Sequence, residues 1–347
     1  QFFAPILAKN YEGGYASAGF FRTLAPVGIV ISILLTVLAI IGIWEKDRPK
    51  YFGIGGEVSE KVKLHEYVQI IKNNNPMQRL MVAGAGCKLA LSIATNTTVL
   101  CMLYGCMMGS YDGLYLPMMV LGYVFSVPFF LLTVRTSQKE GQKASLMKYV
   151  SVAFICYIGV LVLLLLWGRS DAFTLSIMGD NGLSINLYTI LFIAFFGIGY
   201  GAYYATADMP IPMVADCSDY ETYRSGSYIP GIMGTLFSLV DKLVSSLSAT
   251  VVGIAVSFIG LESLPTQYDP YTPGMNWVVI VLFCIIPMVA WAATLIAMRG
   301  YTLTGEKMKE IQAVNACRRD AVANGMKLEE AMTKWQSMDQ LPAEYRS

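Results

Sequence analysis

Seven long apolar stretches leave this chain few possible folds. A transmembrane helix needs roughly 20 mostly apolar residues. Inside a bilayer the backbone must satisfy its own hydrogen bonds, as a helix does within one segment. The stretches that qualify are 24–44, 81–108, 113–134, 147–167, 186–209, 229–260 and 276–298. The sequence therefore predicts an all-α polytopic membrane protein.

Composition supports the same class. Of 347 residues, 55% are hydrophobic and 14% are charged, whereas about a quarter of a soluble chain is charged. The net charge of +1 gives no electrostatic reason to expect a nucleic acid. We therefore expect the lipid bilayer as a partner and no nucleic acid.

The sequence has no motif that predicts a metal site or an enzyme active site. The seven cysteines have no paired CxxC spacing, and His65 is the single histidine, so a zinc site is not predicted. The sequence has no Ser–His–Asp set, HExxH motif or P-loop. We predict no resident cofactor, no metal site and no enzymatic activity.

Basic residues predict the orientation of the spans. They concentrate in segments 45–79 and 135–148 and after Arg299, while the opposite loops hold only Lys9, Arg22 and Arg169. Lys and Arg are enriched in cytoplasmic loops. We expect a multi-pass plasma-membrane protein with the 45–79 loop and the C-terminus in the cytoplasm.

The order of spans and loops predicts four parts. Residues 1–44 would be the remnant of an N-terminal helix bundle, 45–79 a central cytoplasmic loop, 80–299 a six-helix bundle and 300–347 a cytoplasmic tail. The segment QFFAPILA, 1–8, is too short to span, so it is either the end of an earlier helix in a longer protein or an interfacial segment. Six helices after a long basic loop are typical of one major facilitator half.

Lys242 is the most informative charge inside a span. It lies about 20 Å along the 229–260 helix, where an ionisable group costs about 2.5–3.5 kcal/mol or more. Its helix face is small and polar: Gly231, Thr235, Ser238, Ser245 or Ser246, Ala249 and Gly253. A packed seam with Lys242 neutralised by Asp241 or Asp208 would explain this face, and so would a substrate or coupling site. We favour the second, because a seam alone does not require a lysine.

Two other helix faces carry candidate residues. On the 81–108 helix, Gly84, Lys88, Ser92 and Thr95 or Asn96 form a polar stripe, although Lys88 could also snorkel to the interface. On the 186–209 helix, Phe196, Tyr200, Tyr204 and Asp208 recur every four residues. Aromatic rings and a carboxylate suit a sugar, but such stripes are also common in cores. We expect Pro210 and Pro212 to disrupt this helix, and Gly197, Gly199 and Gly201 to loosen it.

The stretch VADCSDYETYRSG at 214–226, with Asp241 and Lys242 downstream, carries a family resemblance. It resembles the signature of the glycoside–pentoside–hexuronide:cation symporters (melibiose permease-like) of the major facilitator superfamily. That pattern reads roughly AD-x-x-DY-x-E-(Y/W)-(K/R), and here Glu221 stands one place early. WEKDRP at 44–49, RTSQKEGQKAS at 135–145 and YTLTGEKMKEIQ at 301–312 also resemble family segments.

The resemblance implies the C-terminal part of a major facilitator fold, from the end of helix 5 through helices 6–12. It implies a secondary active transporter that moves a glycoside or other sugar with Na⁺ or H⁺ by alternating access. Lys242 matches the family's lysine on the eleventh helix. The acidic residues of the family's cation site lie on early helices that this sequence lacks, and SYIPG at 227–231 replaces the charged residues that usually follow the signature.

Two groups of site residues follow from the helix faces and the resemblance together. The predicted substrate and coupling cavity comprises Lys242, Asp208, Tyr200, Tyr204, Lys88, Asn96 and Ser238. The predicted cytoplasmic gate comprises Asp216, Asp219, Glu221 and Arg224, solvated at the mouth, with Arg135 and Lys139 as partners in one state. A simple solvated turn is the alternative for the gate. A carrier of a non-sugar solute such as a lysolipid, or a non-transporting membrane sensor, is the alternative for the function.

Overall fold

The computed structural model describes most of the chain. It covers Leu7, Asn10, Tyr11, residues 17–45, Gln69 and residues 71–346 except 177, 180, 181 and 184. It divides into two compact units, 1–58 and 59–347. The predicted helix end at 1–8 and the predicted basic loop at 45–79 lie largely outside the described residues, and the predicted four-part division stays a prediction.

In the first unit, one helix covers the predicted span 24–44. Helix α1 (Ala18–Ile43) exposes apolar side chains along nearly its whole length. Phe20 is the exception, because its ring packs edge-on against Tyr11, with centroids 6.4 Å apart, and against Phe21 at 5.1 Å. A helix that is apolar on all sides is stable only in lipid or among other helices.

The second unit contains the remaining spans. They are α2 (Asn75–Ala94) and α3 (Thr97–Met107), which meet at a bend of 46°, then α4 (Tyr111–Glu140), α5 (Gln142–Leu166), α6 (Leu187–Thr206), α7 (Pro210–Ser225), α8 (Pro230–Ser257) and α9 (Met275–Arg299). Among the described residues of both units, six helices are long and apolar enough to span: α1, α4, α5, α6 and α7 taken as one, α8 and α9. The bent pair α2–α3, counted as one span, makes a seventh. The predicted all-α polytopic class is confirmed, and each predicted span falls largely on one of these helices or on the bent pair.

Short elements complete the described part of the chain. A two-residue antiparallel hairpin, β1 (Met178–Gly179) and β2 (Gly182–Leu183), lies between α5 and α6. The tail forms α10 (Gly305–Ala323), α11 (Leu328–Lys334) and the 3₁₀ turns Met338–Gln340 and Ala343–Tyr345. π-helical turns occur at Cys101–Met107 in α3 and at Val281–Ile285 in α9.

Asparagine side chains cap the N-terminal ends of three helices. The Asn74 carbonyl oxygen accepts from the Met77 backbone N–H at 3.0 Å, Asn96 from Thr98 at 2.9 Å, and Asn186 from Thr189 at 2.7 Å. The first turn of a helix has backbone donors without intrahelical partners, and a capping side chain satisfies one of them. The sequence thus fixes where α2, α3 and α6 start.

The glycines of α6 do not loosen it as expected. The helix is continuous from Leu187 to Thr206, and each glycine faces a ring from a neighbouring helix. A Cβ on Gly197 would lie 2.8 Å from Phe125, one on Gly199 2.9 Å from Tyr157, and one on Gly201 2.6 Å from Phe129. These glycines let helices approach closely, so their role is packing.

The predicted disruption is confirmed at Pro210 but not at Pro212, which lies in the first turn of α7. Helix α6 ends at Thr206, residues 207–209 form a turn, and α7 begins at Pro210. Proline lacks a backbone donor, which is unimportant at the first position of a helix, where no intrahelical acceptor exists. The chain therefore breaks and restarts beside Asp208.

Aromatic residues fill the core between α5, α6 and α9. Tyr157 lies 4.9 Å from Trp291 and 5.9 Å from Phe283, and Tyr203 lies 5.5 Å from Trp291, between ring centroids. All four residues are buried. The Tyr157–Trp291 pair is edge-to-face, a geometry that adds about 0.5–1.5 kcal/mol beyond area burial, and the cluster packs the three helices together.

The loop between α8 and α9 packs against the π-helical end of α3. A Cβ on Gly105 would lie 2.5 Å from the Gln267 carbonyl oxygen. The Cys106 thiol contacts the Thr266 carbonyl oxygen at 3.3 Å. The absence of a side chain at Gly105 thus sets the distance between this loop and the bent span.

Gly86→Ala should destabilise the protein because α2 and α9 pack tightly at that point. The added Cβ would lie 2.5 Å from the Ala290 carbonyl oxygen and would also meet the Thr294 hydroxyl. Overpacking of this kind costs about 1–3 kcal/mol, which should lower the midpoint of thermal unfolding in detergent.

Gly234→Ala is the matched control. Nothing lies within 4 Å of a Cβ at Gly234 in α8, and alanine is about 1 kcal/mol better than glycine inside a helix. This variant should unfold at the same or a higher temperature. Equal midpoints for the two variants would contradict the close α2–α9 contact.

Candidate functional site

A group of three charged side chains connects three elements of the second unit. The Lys88 ammonium on α2 lies 3.5 Å from Asp241 Oδ1 on α8 and 3.9 Å from Asp208 Oδ1 at the α6–α7 break. The side chains of Lys88 and Asp241 are 27% and 25% exposed, whereas that of Asp208 is 72% exposed. We call these three residues the charge triad.

Close helix packing brings the triad together. One turn before Lys88, a Cβ on Gly84 would lie 2.6 Å from the Phe237 ring of α8 and 3.5 Å from Pro210 at the start of α7. Glycine at this position lets α7 and α8 approach α2. The break after α6 leaves Asp208 at the edge of the same contact.

Lys242 lies next to the triad but points elsewhere. Its side chain is 80% exposed in the second unit, and its ammonium lies 4.0 Å from Asp241 Oδ2. Asp241 is therefore shared by Lys88 and Lys242. Gly231, Thr235 and Ser238 on the same helix face are also exposed, so within the described part of the second unit this face is not sealed in a packed seam.

The aromatic stripe of α6 is divided between core and surface. Phe196 and Tyr200 are buried in the core, while Tyr204 is half-buried. Tyr204 stacks on Tyr200, with ring centroids 5.5 Å apart, and Tyr123 of α4 packs edge-on against Tyr204 at 5.5 Å and Tyr200 at 6.0 Å. Of the stripe, Tyr204 and Asp208 are the members open to a ligand.

Asn96 has a structural role that the sequence analysis did not anticipate. It lies at the bend between α2 and α3, where its side chain caps α3. It is half-buried, two turns beyond Lys88 on the same bent span.

The predicted gate residues lie on α7, but they are not equally solvated. Glu221 is only 2% exposed. Its carboxylate accepts from the Asn74 amide at 3.0 Å and pairs with Arg224 at 2.7 Å. These two partners allow a carboxylate to remain in a buried position, so Glu221 ties the end of α7 to the start of α2.

The other predicted gate residues make fewer contacts. Asp216 and Asp219 are half-buried, and Arg135 and Lys139 are exposed on α4. Neither basic residue forms an ion pair with the α7 acids in the part of the chain that the structure describes. The expected pairing therefore stays a prediction for another conformation.

The tail packs onto α7 through Tyr223, a contact that sequence reasoning missed. The Tyr223 hydroxyl donates to the Gln336 carbonyl oxygen at 2.6 Å, and Arg318 donates to the Tyr223 carbonyl oxygen at 2.7 Å. The Lys307 and Arg318 cations lie 5.2 and 5.3 Å from the centre of the Tyr223 ring. The apolar spacing of Met308, Ile311, Val314 and Cys317 on α10 was the available signal for a packed helix.

Arg318 is the buried centre of the tail. It is 2% exposed, and it donates to the Trp335 carbonyl oxygen from Nε at 2.9 Å and from Nη2 at 2.6 Å. Burial lowers the pKa of its guanidinium from the ordinary value, but arginine starts high enough to remain charged. The tail is therefore a folded part of the second unit.

Metal-ligating groups do not cluster in the described residues. No set of three or more His, Cys, Asp or Glu side chains there is placed to hold an ion. The seven cysteines are all free and buried.

Comparison with known proteins assigns the family. A family model described as MFS/sugar transport protein matches residues 1–305. The chain belongs to this family. It is also 29% identical over 124 residues to the "Uncharacterized 29.9 kDa protein in crtE 3'region" of Pseudescherichia vulneris, a match that covers 35% of this chain and 43% of that relative. The chain thus spans less than half the length of the curated relative it matches.

Family membership explains the architecture of the second unit. The bent span α2–α3 and the spans from α4 to α9 are helices of a multi-pass MFS protein of the sugar-transport type. The charge triad lies where three of their elements meet. Charged side chains within membrane spans are rare and are a starting point for a functional-site hypothesis.

Arg318→Leu should loosen the tail because it removes the donors for two backbone carbonyl oxygens, those of Trp335 and Tyr223. A buried group without its partner costs about 1–3 kcal/mol, so amide exchange of residues 305–345 should rise roughly 5- to 150-fold. Arg319→Leu is the control, because Arg319 is exposed and pairs with the neighbouring, exposed Asp320. Equal exchange in both variants would mean that Arg318 does not organise the tail.

A double-mutant cycle should separate the two lysines that approach Asp241. Lys88→Met and Asp241→Asn, alone and combined, should show a coupling free energy of about 0.5–1 kcal/mol, because both groups are largely shielded. The corresponding cycle with Lys242→Met should give a coupling close to zero, because Lys242 is 80% exposed. Thermal unfolding in detergent measures both couplings, and a larger value for Lys242 would contradict the geometry.

Proposed function

We propose that this protein is a secondary active transporter that moves a glycoside or other sugar with Na⁺ or H⁺ by alternating access. Membership in a sugar-transport family supports the substrate class. The resemblance of residues 214–226 to the melibiose permease-like symporters supports cation coupling. The charge triad is the single observation that carries the proposal, because it supplies a polar site inside an apolar bundle.

The triad and its neighbours can bind a sugar by ordinary chemistry. Asp208 and Asp241 can accept hydrogen bonds from sugar hydroxyls, and charge-assisted bonds of this kind are strong in a low-dielectric site. Tyr204 presents a half-buried ring beside Asp208 for the apolar face of a sugar. Lys242, Ser238 and Asn96 would add donors from the open face of α8 and from the bend of α2–α3.

The ion pairs of the triad can respond to the bound solute. Lys88 holds both carboxylates in this structure. A sugar or a cation that binds either carboxylate competes with that ammonium, so binding changes the contact between α2 and α8. Differential binding of this kind is what allows a ligand to shift the equilibrium between conformations.

The gate and the hinge complete the proposed cycle. The turn at 207–209 separates α6 from α7 and is the place where α7 can change its angle. In one state Arg135 and Lys139 would pair with Asp216 or Asp219 and hold the mouth closed. The coupling ion would bind to acidic residues in the N-terminal part of the transporter, as the resemblance implies.

The proposed location is the plasma membrane with the C-terminus in the cytoplasm. Arg79, Arg135, Lys139, Lys143 and Arg299 all lie at one end of the described bundle, which the positive-inside rule assigns to the cytoplasm. Labelling of single cysteines on either side of the membrane tests this assignment.

Uptake into proteoliposomes that contain the full-length protein tests the function. Radiolabelled glycosides are offered with a Na⁺ gradient, a pH gradient or neither, and a labelled lysolipid is offered in parallel. We expect glycoside uptake that one of the gradients accelerates. Gradient-independent glycoside uptake would reject the coupling, and lysolipid uptake alone would reject the sugar.

Lys242→Ala and Asp241→Asn should each abolish most glycoside uptake in the full-length protein, because both act where solute passes. Membrane insertion should be normal. Lys309→Ala is the control, since Lys309 is exposed on the tail helix α10, and it should transport normally. Wild-type uptake by Lys242→Ala would remove Lys242 from the mechanism.

A further inference from the structure

Three basic residues meet at the end of the bundle where α9 stops and α2 and α5 begin. Arg79 is on the second turn of α2, Lys143 on the first turn of α5, and Arg299 is the last residue of α9. The Lys143 ammonium donates to the Tyr301 carbonyl oxygen at 2.7 Å and approaches the Arg299 carbonyl oxygen at 3.5 Å. The Arg79 guanidinium lies against Gly300. We call these three residues the basic triad.

Carboxylates do not neutralise the basic triad within the described residues. Arg79 Nε donates to the Asn75 side-chain oxygen at 2.6 Å, and Lys143 donates only to backbone carbonyl oxygens. Glu140, at the end of α4, is exposed and makes no ion pair in the part of the chain that the structure describes. The Arg79 and Lys143 cations therefore both contact the backbone of residues 299–301, and the exposed Arg299 adds a third positive charge in that segment.

Exposed apolar side chains lie one helical turn from two of these cations. Val82 lies three residues after Arg79 on one face of α2 and is 49% exposed. Ile296 lies three residues before Arg299 on one face of α9 and is 66% exposed. Residues three apart share a helix face, and on α9 the exposed Val289 extends the face of Ile296 toward the middle of the helix.

We infer that the basic triad binds the phosphate of an anionic phospholipid, with the acyl chains lying against the exposed apolar side chains of Val82 and Ile296. A spanning helix ends at the depth of the lipid headgroups, so a cation at its last turn meets phosphate there. Basic pockets between transmembrane helices are known to bind anionic headgroups. A free phosphate would use the cations alone, whereas a phospholipid also covers these exposed apolar side chains, and this difference favours the lipid.

Native mass spectrometry of the purified full-length protein in detergent tests the site. Phosphatidylglycerol, phosphatidylcholine with the same acyl chains, and inorganic phosphate are titrated separately. We expect one phosphatidylglycerol to bind more tightly than phosphatidylcholine. Each basic residue near a membrane surface contributes about a fivefold change in affinity, so Arg79→Gln, Lys143→Gln and Arg299→Gln combined should weaken binding on the order of a hundredfold.

Two further variants keep the test decisive. Arg299→Gln alone changes one exposed side chain at a helix end and should weaken binding about fivefold without affecting folding. Ile296→Gln retains all three charges and should weaken phosphatidylglycerol but leave any phosphate binding unchanged. The matched control is Lys309→Gln, Arg319→Gln and Lys327→Gln combined, which removes the same charge from exposed tail positions.

The outcomes separate the possibilities. Loss of the phosphatidylglycerol preference in the basic-triad variants, but not in the tail control, supports the site. An equal effect of the tail control would show nonspecific attraction and overturn it. Inorganic phosphate bound as tightly as phosphatidylglycerol, with no effect of Ile296→Gln, would mean an anion site without lipid and would also overturn it.

Discussion

Hydrocarbon offers no hydrogen-bond partners, and this constraint organises the whole structure. Backbone groups are satisfied inside helices, so the described part of the chain is helical apart from turns, loops and one two-residue hairpin. The same constraint acts on side chains: Lys88 lies between two carboxylates, and Glu221 lies between an amide and a guanidinium. Where helices must come close, a glycine replaces a side chain, as at Gly84 and Gly86. Close helix packing and charge pairing therefore both follow from the absence of hydrogen-bond partners in hydrocarbon.

Spans could be predicted from the sequence because their signal is local. Each needs only a long apolar run, and Pro210 marks the break after α6 through its own missing donor. The role of the α6 glycines could not be predicted in the same way. Gly197 and Gly201 are indistinguishable by sequence from flexible positions until the rings of Phe125 and Phe129 are seen against them. Glycine is common both in flexible segments and at close helix contacts, so its presence alone does not distinguish them.

The candidate site shows the same division between local and tertiary information. Periodicity identified Lys88, Asp208 and Lys242 as charges on helix faces. It could not decide which lysine would pair most closely with Asp241, because that depends on how α2 approaches α8. Adjacent residues on one helix point about 100° apart, so Asp241 faces Lys88 while Lys242 faces outward. The folded tail was missed because its packing partner, Tyr223, lies nearly a hundred positions earlier in the sequence than some of the residues it contacts.

The close packing of the α8–α9 loop against Gly105 has a consequence for how α3 and α9 can move. The Gln267 carbonyl oxygen lies where any residue other than glycine at position 105 would place its Cβ, and the Cys106 thiol contacts the Thr266 carbonyl oxygen. The loop is therefore packed directly against the π-helical end of α3. Because this loop leads into α9, a change in the tilt of that end of α3 would require the loop and the start of α9 to move with it. Through this loop, α3 and α9, which are distant in sequence, are linked at the end of the bundle opposite the tail.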